Sequence, residues 1–103
     1  MIFLPLSIME RLTEKEIDTL LQNLEGWTYL EGSITKLFTF KDFKEAFATM
    51  TRIAFECEAQ NHHPEWENIY SSLTIKLNTH DVGGVTKKDF QLARSIENIV
   101  NAN

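Results

Sequence analysis

Apolar residues recur every three or four positions in three separate stretches of this chain, which is the spacing of amphipathic helices. The first stretch follows Thr13 and Glu16, which have the spacing of a capping box, and Gly26 marks its end. The second stretch covers residues 41–61, and the third begins after Thr86. Each predicted helix therefore has an apolar face that must be buried against another layer of the fold.

The second helix is predicted to have a single buried face. Thr39 and Asp42 have capping-box spacing at its start. Pro64 disfavours a helical conformation for the residue before it, so we expect the helix to end near His62. The apolar positions that define the predicted face are Phe43, Phe47, Met50, Ile53, Ala54 and Cys57.

Between these helices the pattern changes to that of β-strands. Residues 27–30 and 33–40 are rich in aromatic and β-branched residues, and Glu31-Gly32 between them predicts a hairpin turn. A short segment, 66–70, precedes a stretch in which Leu73, Ile75 and Leu77 alternate with polar residues. The order is helix, two strands, helix, two strands, helix. It predicts an α+β fold, a two-layer domain in which helices cover one face of an antiparallel sheet.

Length and charge narrow the possible functions. The 103 residues suffice for one domain, which we assign to residues 12–103. Residues 1–11 form an apolar N-terminal arm, part of which lies upstream of a possible start at Met9. That arm lacks the basic region and cleavage site of a signal peptide. With 10 basic and 15 acidic residues, the net charge of −5 argues against direct nucleic-acid binding.

The sequence lacks two features that would indicate a membrane or extracellular location of the protein. No apolar run has the length of a membrane-spanning helix, so we predict no membrane association. Cys57 is the single cysteine and has no partner for an internal disulfide. A reducing compartment, the cytoplasm, is therefore the expected location.

All three histidines lie between residues 62 and 80. His62 and His63 are adjacent at the predicted end of the second helix, and His80 is predicted to terminate the alternating strand. Glu58 lies one helical turn before His62, where a carboxylate would favour the imidazolium and orient the ring. Imidazoles have an unperturbed pKa of about 6.5, so they donate or accept protons at neutral pH. This cluster indicates general acid–base catalysis, which requires no metal or cofactor.

Structural interpretations of the same residues remain open from the pattern alone. Each histidine is also compatible with a surface or capping role, and Glu58 with a solvated helix carboxylate. Asp89 is explained as an acidic residue at a helix N-terminus. Cys57 belongs to an apolar helix face and is expected in the core, while Trp66 and Tyr70 either line a pocket or pack.

The segment from Glu58 to Trp66 resembles the motif of the pterin-4a-carbinolamine dehydratase family. It reads Glu-Ala-Gln-Asn-His-His-Pro-Glu-Trp, and Tyr70, Thr79-His80-Asp81 and Asp89 continue the motif at matching intervals. The similarity extends from Leu12 to the final helix. It implies a four-stranded antiparallel sheet with three helices on one face.

The resemblance also implies an activity. Enzymes of this family dehydrate 4a-hydroxytetrahydropterin to quinonoid dihydropterin, with no cofactor. They thereby support tetrahydropterin recycling for aromatic amino-acid hydroxylases. By position, His62 and His80 would transfer protons, His63 would hold the pterin ring, and Glu58 would orient the histidines. The substrate-binding residues implied are Asn61, His62, His63, Asn78, Thr79, His80 and Asp81.

Two other functions remain as alternatives. Three histidines and a carboxylate are a plausible zinc set, although adjacent His62 and His63 diverge and are awkward ligands for one ion. Animal members of the family also act as dimerisation cofactors of a homeodomain transcription factor, so an interaction module is the second alternative. We further expect a homodimer or homotetramer, because an open sheet leaves edges that can pair.

Overall fold

The computed structural model describes residues 10–102, so most of the predicted N-terminal arm lies outside the described residues. The three α-helices are α1 (Glu14–Leu21), α2 (Phe43–Gln60) and α3 (Lys87–Asn101). The four strands are β1 (Thr28–Leu30), β2 (Ser33–Thr39), β3 (Glu65–Ile69) and β4 (Ser72–Leu77). A short 3-10 turn, His80–Val82, precedes α3. The predicted order of elements is confirmed.

The four strands form one antiparallel sheet in the order β1-β2-β4-β3. The register pairs Ile34 with Leu77 and Phe38 with Leu73, so these side chains share a face. That face is buried in one core together with apolar residues of all three helices. The opposite face leaves Leu30, Leu37 and Ile69 exposed. The predicted two-layer α+β fold, with three helices on one face of the sheet, is therefore confirmed.

The helix starts agree with the sequence in two cases out of three. Thr13 forms the predicted capping box of α1, and Thr86, which precedes the third predicted helix, caps α3 and forms a capping box with Asp89. At the start of α2, Asp42 is the cap, and its side chain accepts a hydrogen bond of 2.8 Å from the backbone N–H of Glu45. The predicted pairing of Thr39 with Asp42 is wrong, because Thr39 is still the last residue of β2.

The apolar positions of α2 form two adjacent stripes rather than one buried face. Ala46, Thr49, Ile53 and Cys57 are buried where α2 packs against α3 and β4. Phe43, Phe47 and Ala54 lie further round the helix and are exposed, with exposed fractions of 46% for Phe43 and 55% for Phe47. The prediction of a single buried face is wrong, because the sheet and α3 cover only one of these stripes.

Cys57 lies in the core, as predicted. Burial raises the pKa of its thiol to about 11. The thiol is therefore protonated at neutral pH and is a packing residue rather than a nucleophile.

Candidate active site

A cleft of about 640 Å³ opens where the end of α2, the end of β4 and the start of α3 meet. This volume falls in the range of small-molecule sites, roughly 300–1,000 Å³. The cleft contains every predicted site residue except Glu58, and adds Glu65 and Lys88, which the sequence did not indicate. Its lining residues are Asn61, His62, His63, Glu65, Asn78, Thr79, His80, Asp81 and Lys88.

The end of α2 separates the two adjacent histidines. Asn61 adopts a left-handed conformation (φ 51°, ψ 45°) and ends the helix there. Asparagine takes this conformation more readily than most residues. The backbone N–H of His62 donates to the Cys57 carbonyl at 3.0 Å. His62 is then buried, with 8% of its surface exposed, whereas the His63 side chain is 57% exposed.

The His62 ring is fixed by Asp89, a fully buried carboxylate in the first turn of α3. Nε2 of His62 lies 2.5 Å from Oδ1 of Asp89. Because an ionised carboxylate only accepts hydrogen bonds, Nε2 carries the proton in this contact. Nδ1 is then the ring nitrogen that makes no hydrogen bond with the described residues. The contact with Asp89 therefore selects the tautomer of a neutral His62 ring.

The second oxygen of Asp89 is also fully hydrogen-bonded. Oδ2 accepts from the Thr79 hydroxyl at 2.8 Å and from the Thr86 backbone N–H at 2.9 Å. The hydroxyls of Thr79 and Thr86 are 2.7 Å apart. Since Thr79 uses its one proton on Asp89, Thr86 donates to Thr79. The buried charge thus has donors on both oxygens, which offsets its loss of hydration.

Glu58 contacts His63 and not His62, contrary to the orientation predicted for it. Oε2 of Glu58 lies 2.5 Å from Nε2 of His63, and the side chains are 76% and 57% exposed. The left-handed turn at Asn61 moves His62 off the helix face on which Glu58 lies, so the one-turn spacing no longer applies. The interpretation of Asp89 as a helix N-terminal carboxylate is confirmed but incomplete. The only other indication in the sequence that Asp89 belongs to the site was its spacing from the histidines in the family motif.

His80 lies in the 3-10 turn and not at the end of a strand, because β4 ends at Leu77. The loop that carries it is closed by a backbone hydrogen bond of 2.7 Å from Thr79 N–H to the Gly84 carbonyl. Gly83, at φ +65°, donates its N–H to the His80 carbonyl at 3.1 Å. The imidazole of His80 is exposed and makes no hydrogen bond with residues 10–102.

The remaining wall of the cleft is tied to the sheet. The Asn78 side-chain amide donates to Ser33 Oγ at 3.0 Å and to Glu65 Oε2 at 3.3 Å. These contacts link the residue after β4 to β2 and β3. These hydrogen bonds therefore join this wall of the cleft to the sheet.

Two features are absent from residues 10–102. No group of three or more His, Cys, Asp or Glu side chains in this part of the chain is arranged to hold a metal ion. Within the same range, no helix has both the length and the apolarity needed to cross a membrane.

Comparison with known proteins connects the cleft to a family. The family model described as pterin 4 alpha carbinolamine dehydratase matches residues 10–99. A relative from Christiangramia forsetii, provisionally named pterin-4-alpha-carbinolamine dehydratase, is 56% identical over 95 residues, covering 92% of this chain and 98% of its own. One from Bradyrhizobium sp. strain ORS 278, with the same name, is 45% identical over 97 residues, covering 92% and 97%.

Solved structures agree with these matches. The crystal structure of a transcriptional coactivator/pterin dehydratase from Brucella melitensis is similar with a TM-score of 0.85 and 41% identity, covering 87% of this chain and 98% of that one. A pterin dehydratase-like protein, identified as a RuBisCO assembly factor in the alpha-carboxysome, shares the fold with a TM-score of 0.61 and 16% identity, covering 73% and 87%. On its sequence match along almost the whole length, this chain belongs to the pterin 4 alpha carbinolamine dehydratase family.

Proposed function

We propose that this protein is a hydro-lyase that converts 4a-hydroxytetrahydropterin to quinonoid dihydropterin and water. The observation that supports this function best is the pairing, at one cleft, of an oriented histidine with an exposed one. His62 has its ring fixed by Asp89, whereas His80 is exposed and makes no hydrogen bond with the described residues. Membership of the family supports a reduced pterin as the proposed substrate class.

The reaction requires one proton to be delivered and one to be removed. The C4a–O bond breaks as the hydroxyl takes up a proton and leaves as water. The electron pair on N5 forms the C4a=N5 double bond, and N5 loses its proton. Imidazoles suit both transfers, each contributing on the order of 10²–10⁴ to the rate.

The cleft suggests how the residues divide these tasks. In our proposal Nδ1 of His62 takes the N5 proton, because Asp89 holds Nε2 protonated. His80 supplies the proton to the departing hydroxyl. His63, held by Glu58, contacts the ring, and Asn61, Asn78, Thr79 and Asp81 bind its polar edges. No metal or organic cofactor takes part in this scheme.

The cellular role that we propose is tetrahydropterin recycling. Quinonoid dihydropterin is the form that a reductase returns to tetrahydropterin, so the enzyme would serve an aromatic amino-acid hydroxylase. The cytoplasm is the proposed location, in keeping with a single, reduced Cys57 in the core.

We further propose that the protein works as a homodimer or homotetramer. The sheet has two edge strands, β1 and β3, which can pair with another copy. The exposed stripe of α2, which includes Phe43 and Phe47, offers a second apolar surface.

The test is a stopped-flow assay with freshly generated 4a-hydroxytetrahydropterin, run with a chelator and no added metal. We expect faster dehydration than in buffer. His62→Ala and His80→Ala should each lower kcat with little change in KM, and His63→Ala should mainly raise KM. The double variant His62→Ala/His80→Ala should fall close to the uncatalysed rate. A folded double variant with near-wild-type kcat would show that the chemistry lies elsewhere, and activity restored only by zinc would refute the metal-free scheme.

A further inference from the structure

Lys88 is a charged residue of the cleft to which the scheme above gives no role. It is the second residue of α3, and its backbone N–H donates to the Thr86 hydroxyl oxygen at 3.2 Å. Its side chain is half-buried and lines the cleft. Within residues 10–102 the ammonium group forms neither an ion pair nor a hydrogen bond. A cation that is partly removed from water without a partner gains from binding an anion.

The other charged groups of the cleft do not neutralise Lys88. Glu65 accepts a hydrogen bond from Asn78, and Asp81 lies exposed on the turn that carries His80. His62 and His63 are each paired with a carboxylate of their own. Among the residues described as lining the cleft, Lys88 is thus the permanent cation. The carboxylates of Glu65 and Asp81 both lie outside ion-pair distance of its ammonium group.

Given the proposed function, on which this inference rests, we propose that Lys88 binds an anionic group on the C6 substituent of the reduced pterin. The pterin ring is neutral at pH 7, and its edges present both donors and acceptors. Amides, hydroxyls and backbone groups match such edges, and the cleft already supplies them. A lysine ammonium has three donors and no acceptor, so its strongest partner is a phosphate or a carboxylate. The site should therefore prefer pterins with a charged substituent to those with a neutral hydroxylated one.

The test uses stable ligands that bind without reacting. The pair 7,8-dihydroneopterin and 7,8-dihydroneopterin 3′-phosphate differs only in the phosphate, and 7,8-dihydropterin-6-carboxylate provides a carboxylate. Titration calorimetry would measure Kd for the wild-type protein and for Lys88→Gln, Lys88→Arg and Lys87→Gln. Lys87 is the matched control, because it is the preceding residue in the same helical turn, is exposed, and does not line the cleft.

We expect the wild-type protein to bind at least one anionic ligand about fivefold more tightly than 7,8-dihydroneopterin, the upper end of the range for a partly solvated charge pair. Lys88→Gln should abolish that difference and change the Kd of neutral 7,8-dihydroneopterin less than about twofold. Lys88→Arg and Lys87→Gln should retain it. The anionic ligand that loses affinity in Lys88→Gln identifies whether phosphate or carboxylate is the group bound.

Three results would overturn the proposal. The wild-type protein could show no preference for either anionic ligand. Lys88→Gln could weaken the neutral and anionic ligands equally, which would place Lys88 on the ring. Lys87→Gln could remove the preference as fully as Lys88→Gln, which would indicate a diffuse charge effect. Because these titrations involve no turnover, a protein that binds pterins but does not dehydrate them would refute the proposed activity alone. A protein that binds none of the three ligands but dehydrates 4a-hydroxytetrahydropterin would refute the proposed role of Lys88 alone.

Discussion

At the scale of single residues, Asp89 combines two tasks in one carboxylate. Oδ2 completes the cap of α3 through Thr86, and Oδ1 holds the His62 ring. The capping contact between Asp89 and the Thr86 backbone is local, so the spacing of these two residues in the sequence predicts it. The contact with His62 joins residues 27 apart in the chain, so it depends on how α2 and α3 pack.

Asp89→Asn tests whether Asp89 is a positioning residue for His62. An amide of the same shape offers one acceptor oxygen in place of two, so either His62 or the Thr79–Thr86 pair loses its acceptor. We expect kcat to fall by on the order of 10²-fold or more, with KM changed only a few-fold. Stopped-flow kinetics would give kcat and KM. Urea unfolding would show whether the variant is folded, since a lost buried hydrogen bond costs about 1–3 kcal/mol.

Glu58→Gln is the matched control for that change, because it makes the same substitution beside the other histidine. The pair between Glu58 and His63 is exposed, where such contacts contribute little. We expect kcat to remain within about threefold of the wild-type value. A folded Asp89→Asn protein that kept the wild-type kcat would contradict the positioning role.

The sequence located the residues of the site better than their pairings. His62, His63 and His80 form a conspicuous cluster in a chain with no other histidine, and all three line the cleft. The predicted pairing of Glu58 with His62 was wrong because it assumed that the helix continues to His62. The chain leaves the helix at Asn61. Lys88 gave no signal, since a lysine in the first turn of an amphipathic helix indicates no function until a cleft is seen beside it.

At the scale of elements, the end of α2 shows how one turn aims two side chains. Asn61 at φ 51° directs His62 inward and leaves His63 exposed. A residue with a Cβ is strained in this conformation, whereas glycine is not. The backbone role of Asn61 and its predicted contact with the substrate can therefore be separated by substitution.

We expect Asn61→Ala to lower the free energy of unfolding by about 1 kcal/mol relative to Asn61→Gly, because only alanine is strained at this position. Both variants lack the side-chain amide, so both should raise the KM for the pterin to a similar extent. Urea unfolding and steady-state kinetics measure the two effects. An Asn61→Gly protein with a wild-type KM would show that the side chain does not bind the substrate.

Most elements followed from the sequence because their signals are local. A capping box located the start of α1, a cap at Thr86 located the start of α3, and strict alternation located β4. The start of α2 was misjudged because Thr39 and Asp42 have the right spacing but belong to different elements. The two stripes of α2 could not be separated from the sequence, since periodicity gives apolar positions and not the partner that covers them.

At the scale of the whole molecule, the exposed apolar stripe of α2 predicts that the protein forms oligomers through this surface. In the wild-type protein we expect a mass of two or four times 11.9 kDa by light scattering at micromolar concentration. Phe47→Glu places a charge in the stripe and should reduce the mass to that of a smaller assembly, because burying an unpaired carboxylate is unfavourable.

Ala48→Glu is the control for this experiment. Residue 48 is also exposed on α2 but lies about 100° further round the helix than residue 47. We expect Ala48→Glu to leave the mass unchanged. A wild-type protein that scatters as a monomer would contradict the proposed assembly, and equal effects of both variants would exclude the stripe as the contact surface.

The dependence of His62 on a residue of α3 also affects the order of events during synthesis. Chains emerge from the ribosome amino end first, so α2 and the residues that follow it appear before α3. A nascent chain that has exposed His62, His63 and His80 still lacks the acceptor that selects the His62 tautomer. It also lacks the partner of the Thr79 hydroxyl. In the proposed scheme, catalytic competence therefore arises when the last helix docks, and not when the histidines emerge.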